Sequence, residues 1–143
     1  MNKLLISACL LGTPCRYDGR SKPIAGIERL REKYELIPIC PEQLGGLPTP
    51  RKPSERSGDR VVMTDGTDVT AQYEKGAQTA LGLCLQAGCT AAVLKERSPS
   101  CGSGEIYDGS FTHKLISGDG VTAELLKENG ISVYGESKVD ALL

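Results

Sequence analysis

The chain has 143 residues, enough for one domain with a single hydrophobic core. Its 17 lysines and arginines nearly balance 18 aspartates and glutamates, and tryptophan is absent, so we expect no stable nucleic-acid complex. No apolar run approaches the ~20 residues of a membrane span, and the apolar segment before a lipoprotein-like box, Ile6 to Cys9, is too short for a signal peptide. We therefore expect a cytoplasmic protein of one domain, 1–143, that is a monomer or a homodimer.

Six cysteines are many for this length, yet a chain of this size does not depend on disulfides to fold. They include no CxxC pair, which disfavours a zinc site built from two closely spaced ligand pairs. Scattered thiols leave three possibilities: core residues, a catalytic thiol, or metal ligands gathered from separate loops. The cysteines are Cys9, Cys15, Cys40, Cys84, Cys89 and Cys101.

The N-terminal third of the chain predicts a strand, a helix and a second strand. Residues 3–8 form an apolar run that Gly12-Thr13-Pro14 stops, which is typical of a buried parallel strand. Apolar residues recur at helical spacing over 24–34, which predicts an amphipathic helix. Residues 35–39 are the second predicted strand.

The middle of the chain predicts a hairpin and the longest helix. A segment rich in proline and charge, 48–60, leads to a small hairpin over 61–68, with Asp65-Gly66 as its turn. The long helix is predicted over 71–87, with Gly88 beyond its end.

The last third begins with a predicted strand over 91–95, which leads into a loop, 94–109, rich in glycine, serine and proline. This composition lets backbone amides approach a bound group, so it predicts an active-site loop around Cys101. The last predicted helix covers 121–129, and the last strand covers 131–134.

Alternating strands and helices predict an α/β fold, a three-layer sandwich with a mainly parallel central sheet of about four to five strands and helices on both faces. Ligands of such sheets bind at the carboxyl ends of the strands. Cys9 and Cys40 end the first two predicted strands, and Cys101 follows the third. We therefore expect three thiols to meet at one edge of the sheet.

Three converging thiolates could hold a metal centre that keeps one position open for a substrate atom. The alternative is that they are unrelated core cysteines, because free cysteine is often buried. Cys84 and Cys89, in and just after the predicted long helix, fit that description better. Cys15 is intermediate, since it lies in the first loop and could compete with Cys9 as a ligand.

Polar residues beside these thiols are candidates for acid–base chemistry and substrate binding. Glu42 could act as a general acid or base, although a glutamate in a first helical turn is equally ordinary. Ser98 and Ser100 could donate hydrogen bonds to a substrate or a cluster sulfur, or serve as turn residues. Lys95 and Arg97 could hold an anionic or carbonyl group, and the single histidine is a weak catalytic candidate.

Three blocks of the sequence resemble the signature of a known bacterial family, largely uncharacterised, which includes the thiouracil desulfidases. They are SACLLG at 7–12, CPEQLGGLPTPR at 40–51 and KERSPSCG at 95–102. Together the blocks are highly specific for the family, and the similarity covers nearly the whole chain.

The resemblance implies a function and a set of site residues. In the characterised desulfidases three cysteines bind a [4Fe–4S] cluster, and the fourth iron takes the sulfur of a thiolated pyrimidine. Carried over by motif, Cys9, Cys40 and Cys101 are the cluster ligands, and Glu42 assists together with Ser98 or Ser100. The implied reaction is a non-redox desulfuration of a thiolated base or nucleoside that releases sulfide and the oxo-base.

Two other classes of function remain open at this point. The protein could carry a cluster, zinc or sulfur to a partner without turnover of its own. It could also be a metal-free enzyme that uses Cys101 as a nucleophile in an electropositive loop with Lys95 and Arg97.

Overall fold

The computed structural model describes residues 2–143. In this part of the chain it has eight strands: β1 (Asn2–Ser7), β2 (Tyr34–Ile39), β3 (Ser54–Ser57), β4 (Arg60–Met63), β5 (Ala91–Leu94), β6 (Glu105–Tyr107), β7 (Leu115–Ser117) and β8 (Ser132–Gly135). It also has four α-helices: α1 (Ile27–Lys33), α2 (Pro41–Leu44), α3 (Thr70–Ala87) and α4 (Val121–Glu128). Short 3-10 helices cover Ala8–Leu11 and Glu136–Leu142.

The central sheet has four parallel strands in the order β2-β1-β5-β8. β1 lies between β2 and β5, so the chain leaves the sheet in one direction after β1 and returns on its other side at β5. Such a reversal of strand order opens a crevice at the carboxyl ends of the two neighbouring strands. This crevice lies where Ser7 ends β1 and Leu94 ends β5.

Alternate residues of β1 enter two separate hydrophobic layers, as the pleat of a strand requires. Leu5 packs on one face of the sheet, in a cluster that includes Ala80 of α3 and Leu126 of α4. Leu4 and Ile6 pack on the other face, in a cluster that includes Leu30 of α1. The predicted three-layer α/β architecture, with helices on both faces of a parallel sheet, is confirmed.

The predicted hairpin over 61–68 is present, since Val62 and Asp68 form an antiparallel bridge around the Asp65-Gly66 turn. A second hairpin, not predicted from the sequence, joins β3 to β4 and turns at Gly58, whose φ is +59°. Its first strand, Ser-Glu-Arg-Ser, has no apolar alternation that could indicate it, and it lies inside the predicted charge-rich segment. In the predicted hairpin the Met63 amide bonds to the Thr67 carbonyl and the Val69 amide bonds to the Val61 carbonyl, both at 2.9 Å.

Helix α1 is shorter than predicted, and a 3-10 helix follows the last strand. α1 begins at Ile27 rather than residue 24, because Gly26 adopts φ +84° and ends the preceding loop. The C-terminal residues form a 3-10 helix in which Leu142 is buried. None of the helices within residues 2–143 has the length and apolar character needed to cross a membrane.

Two glycines allow α2 to press directly on the backbone of α3. A Cβ atom at Gly76 would lie 1.9 Å from the carbonyl oxygen of Pro41, and one at Gly45 would lie 2.0 Å from that of Gln72. Because α2 follows Cys40 without a gap, this close contact fixes the position of Cys40 relative to the long helix.

We predict that Gly76→Ala lowers the free energy of unfolding by about 2 kcal/mol or more, because the added methyl group cannot be accommodated without a backbone shift. Gly82→Ala in the same helix is the matched control: nothing lies within 4 Å of its Cβ position. That control should stabilise the protein by about 0.5–1 kcal/mol. Urea denaturation measures both, and equal midpoints for the two variants would contradict the packing described here.

Candidate functional site

A cavity of about 450 Å³ opens at the carboxyl ends of β1, β2 and β5. The structure brings to it the three cysteines expected from the sequence. Cys9 lies in the 3-10 turn after β1, Cys40 joins β2 to α2, and Cys101 lies in the loop after β5. The cavity therefore holds thiols from three separate loops.

Ser7, at the end of β1, connects the loop of Cys9 to the loop of Cys101 through its side-chain hydroxyl. Its Oγ accepts a hydrogen bond from the Lys95 amide at 2.9 Å and donates one to Cys101 Sγ at 3.5 Å. Burial raises the pKa of Cys101 to about 12, and the Ser7 hydroxyl partly opposes that increase by bonding to the sulfur. A buried serine at the end of β1 thus sets the position of a thiol that follows β5.

Cys15 is a fourth thiol at the same cavity, which it lines while remaining almost fully buried. Its pKa is lowered by the Cys40 thiol, but the Cys9 thiol and burial together outweigh that effect and raise it. Its carbonyl oxygen also lies 3.7 Å from Cys40 Sγ. The Cys15 thiol, followed by burial, raises the pKa of Cys40 above its ordinary value.

Glu42 lines the cavity and forms a buried ion pair with Arg51. Arg51 Nε donates to Glu42 Oε2 at 2.8 Å, and its Nη2 donates to the same oxygen. The guanidinium also donates to the Cys15 carbonyl at 3.1 Å and to the Pro48 carbonyl at 3.2 Å. One side chain therefore links the loop after β1 to the segment after β2.

Burial would lower the pKa of Arg51, but the neighbouring charge of Glu42 outweighs it and raises that pKa. Tyr73 of α3 lies beside the same carboxylate. Burial, followed by the negative charge of Glu42, raises the pKa of Tyr73. The carboxylate therefore lies between a permanent cation and a phenol that stays protonated.

The two predicted serines have different surroundings. Ser98 lines the cavity, and its Oγ accepts hydrogen bonds from the amides of Ser100 and Cys101, both at 3.0 Å. Since both acceptor positions are used, its hydroxyl hydrogen is the part left to interact with a ligand. Ser100 is buried away from the cavity, and its Oγ lies 2.8 Å from Thr122 Oγ1 in α4. The nearby Ser100 hydroxyl also lowers the pKa of Cys101.

The positive charge that Lys95 and Arg97 were expected to supply near Cys101 is weaker than the sequence indicated. Lys95 Nζ pairs with Glu136 Oε1 at 3.2 Å and bonds to the Glu96 carbonyl at the same distance. Arg97 lines the cavity but its side chain is exposed at the rim, on a backbone with φ +66°. Neither cation is among the groups that shift the pKa of Cys101.

An aromatic side of the cavity was not identified from the sequence. Tyr107 ends β6, and Phe111 and His113 lie in the loop before β7; all three line the cavity. The sequence feature that could have indicated it is a repeated Tyr-Asp-Gly tripeptide, at 17–19 and 107–109. Their Asp-Gly pairs form turns, while both tyrosines face the cavity.

The remaining two cysteines lie elsewhere. Cys84 of α3 and Cys89 before β5 are buried in the helix layer that includes Leu126. Burial raises the pKa of Cys84 to about 11. Their expected role as small core residues agrees with these positions.

Comparison with known proteins adds to this geometry. The family model described as 2-thiouracil desulfurase matches residues 4–138. The chain belongs to the 2-thiouracil desulfurase family. The match includes all six cysteines and every residue named above as lining the cavity.

Two similar proteins support membership of the 2-thiouracil desulfurase family over nearly the full length. The uncharacterized protein YbbK of Bacillus subtilis (strain 168) is 41% identical over 150 residues, which cover 98% of this chain and 99% of YbbK. The solved structure of the [4Fe-4S]-dependent thiouracil desulfidase TudS is 49% identical and has a TM-score of 0.95. That alignment covers 99% of this chain and 95% of TudS.

We predict that Arg51→Met lowers the free energy of unfolding by about 3–5 kcal/mol, because it leaves the buried Glu42 carboxylate without its partner. Urea denaturation measures the change. Arg51→Met combined with Glu42→Gln should recover part of the loss, since the unpaired charge is then gone.

Arg31→Met is the matched control for this prediction, because Arg31 pairs with Glu28 on the surface and both side chains are exposed. Its denaturation midpoint should stay near that of the wild type. Equal midpoints for Arg51→Met and Arg31→Met would show that the buried pair does not hold the site together.

Proposed function

We propose that this protein is an iron–sulfur-dependent desulfidase that removes sulfur from a thiolated pyrimidine. The observation that carries the proposal is the meeting of Cys9, Cys40 and Cys101 in one cavity beside a buried carboxylate, Glu42. The 49% identity to the [4Fe-4S]-dependent thiouracil desulfidase TudS supports the same function. Water replaces sulfur on the carbon, so a C=S group and water give a C=O group and hydrogen sulfide without net redox change.

The donor set fits a [4Fe–4S] cluster. Thiolate sulfur is the ligand that such clusters take, and Cys9, Cys40 and Cys101 supply it from separate loops around one cavity. Within residues 2–143, no three His, Cys, Asp or Glu side chains gather closely enough to hold a single metal ion. A cluster distributes its cysteine ligands over different iron atoms, so it requires ligands that stand further apart.

When bound, a cluster held by Cys9, Cys40 and Cys101 would leave one iron without a protein ligand and would supply a Lewis acid for polarising the carbon–sulfur bond of the substrate. Glu42 is the acid–base group beside it. Both Arg51 bonds go to Oε2 of that carboxylate, so Oε1 lies outside the ion pair. We propose that Oε1 takes a proton from the attacking water and passes it toward the departing sulfur.

Ser98 holds the substrate rather than moving its proton. Its hydroxyl hydrogen, not needed for the turn at Ser100 and Cys101, donates to a polar atom of the pyrimidine. Ser100 assists from the protein side, because its hydroxyl bonds to Thr122 rather than lining the cavity. Cys15, which lines the same cavity, is the alternative ligand in place of Cys9.

Two alternatives are less well supported by this geometry. A metal-free nucleophile requires a thiolate, but the pKa of about 12 keeps Cys101 protonated at neutral pH, and Lys95 is paired with Glu136. A carrier of metal or sulfur does not require an acid–base group beside the thiols or a cavity with room for an organic substrate. Release of sulfide from 2-thiouracil separates an enzyme from a carrier.

The same proposal extends to organisation and location. We infer one domain over 1–143 that acts on a small thiolated base or nucleoside, as a monomer or a homodimer, without a stable nucleic-acid complex. All six cysteines are free thiols, which supports a reducing, cytoplasmic location.

We predict that anaerobic reconstitution loads the wild type with about four iron and four sulfide per chain. Cys9→Ala, Cys40→Ala and Cys101→Ala should each lose most of this content, because each removes a ligand. Cys84→Ala should keep it, since Cys84 lies in the helix layer away from the cavity. Iron and sulfide analysis with a visible spectrum measures the content. Full loading of Cys101→Ala would disprove the ligand set.

We predict that Glu42→Gln lowers kcat for sulfide release from 2-thiouracil by about 10²–10⁴-fold while iron content stays at the wild-type level. Ser98→Ala should raise KM by roughly tenfold, because it removes one hydrogen bond to the substrate. Glu128→Gln, at the exposed end of α4, is the control and should leave both constants unchanged. Unchanged kcat in Glu42→Gln would remove this carboxylate from the mechanism.

A further inference from the structure

The aromatic side chains of this protein are concentrated at the cavity. The chain has five tyrosines, one phenylalanine and no tryptophan. Four of these six line the cavity, together with the single histidine. They are Tyr17, Tyr73, Tyr107 and Phe111, with His113. Tyr73 belongs to a hydrophobic cluster with Val61 and Val69, but the other three rings are not buried members of any cluster, so core packing does not require their placement.

Three of the five rings come from one segment, residues 107–113, which we call the aromatic tip. It connects β6 to β7 and reaches across to the β3–β4 hairpin. The buried carboxylate of Glu55 on β3 accepts hydrogen bonds from the amides of Gly109 at 3.0 Å and Phe111 at 3.1 Å. Gly109 packs so closely on Ser57 that a Cβ atom would lie 2.9 Å from the serine Cβ.

Within the aromatic tip the backbone is held in an uncommon conformation. Phe111 and His113 have φ values of +59° and +61°, in the left-handed region that side chains other than glycine rarely adopt. Such residues cost free energy and cluster where a ligand is bound. Asp108 Oδ1 accepts from the Ser110 amide at 2.9 Å, which supports the turn between them.

Burial does not explain why the strained residues are aromatic. Phe111 is half-buried and His113 is exposed, so neither ring is needed to complete the core. The rings of His113 and Tyr107 meet edge to face, with centroids 5.8 Å apart and planes at 82°. This contact places the imidazole beside Tyr107 at the wall of the cavity.

We propose that the aromatic tip is the binding surface for the heteroaromatic ring of the substrate, with the face of Phe111 stacked on the pyrimidine and His113 beside it. The proposal rests on the proposed function, since it assigns the part of the site that holds the ring while the thiols and Glu42 face the sulfur. Both sets of residues line one cavity, whose volume of about 450 Å³ is in the range of small-molecule sites.

Stacking on an aromatic side chain selects planar rings and depends little on their hydrogen-bonding pattern. The aromatic tip therefore determines affinity for the ring, whereas the chemistry at the sulfur depends on the other side of the cavity. Removal of the Phe111 ring should change KM and base affinity while leaving cluster content and kcat near the wild-type values.

The experiment compares Phe111→Ala, Phe111→Tyr and His113→Ala with wild type, each reconstituted anaerobically. Calorimetric titration with uracil measures ring affinity without turnover, and sulfide release from 2-thiouracil gives kcat and KM. Phe111→Ala should weaken uracil binding and raise KM by about tenfold, whereas Phe111→Tyr should stay within twofold of wild type. His113→Ala should weaken binding by a smaller factor. Leu85→Ala, an exposed apolar residue of α3, is the control and should change nothing.

The outcomes separate this proposal from the proposed function. If wild type binds uracil and Phe111→Ala loses affinity but no sulfide is ever released, the aromatic tip is correct and the desulfidase function is wrong. If sulfide is released and both Phe111→Ala and His113→Ala keep wild-type KM and uracil affinity, the aromatic tip is wrong and the function stands. Absence of pyrimidine binding by the wild type would overturn both.

Discussion

The buried guanidinium of Arg51 is the constraint on which the geometry of the site depends. It binds the Glu42 carboxylate and the Cys15 carbonyl, and so joins the loop after β1 to the segment after β2. A cation with 4% of its side chain exposed is costly to bury unless its donors are satisfied. Here its partners satisfy them, and the result is a carboxylate held in one orientation beside the thiols. An ion pair of this kind contributes more to the orientation of its side chains than to the net stability of the fold.

Close backbone packing complements this electrostatic constraint. Gly76 lets the Pro41 carbonyl approach α3, and α3 also presents Tyr73 beside Glu42. On the other side of β1, the Ser7 hydroxyl bonds to the Lys95 amide and to Cys101, and so positions the loop after β5. Every loop that contributes a thiol is thus tied to a neighbouring element by a contact of short range, and the sheet itself provides the common frame.

Much of the framework could be predicted from the sequence because it follows from local pattern. Short apolar runs marked the parallel strands, and parallel strands place the residues that follow them on one edge, which was sufficient to bring Cys9, Cys40 and Cys101 together. The hairpin around Asp65-Gly66 was predicted from its turn residues, whereas the β3–β4 hairpin before it was missed because a strand of polar residues carries no such pattern. The roles of Arg51 and of the aromatic tip also lay beyond the sequence, since each depends on a partner distant along the chain, Cys15 and Glu55, that no periodicity connects.

The origin of the three thiols in three loops has a thermodynamic consequence. In an unfolded chain Cys9, Cys40 and Cys101 are far apart, so a ligand that requires all of them binds the folded state and has little affinity for the unfolded one. Such a ligand raises stability in proportion to the logarithm of its free concentration over its dissociation constant. The melting temperature of this protein is therefore a direct measure of how much of the site is filled, and a chain that loses the ligand also loses part of its resistance to heat.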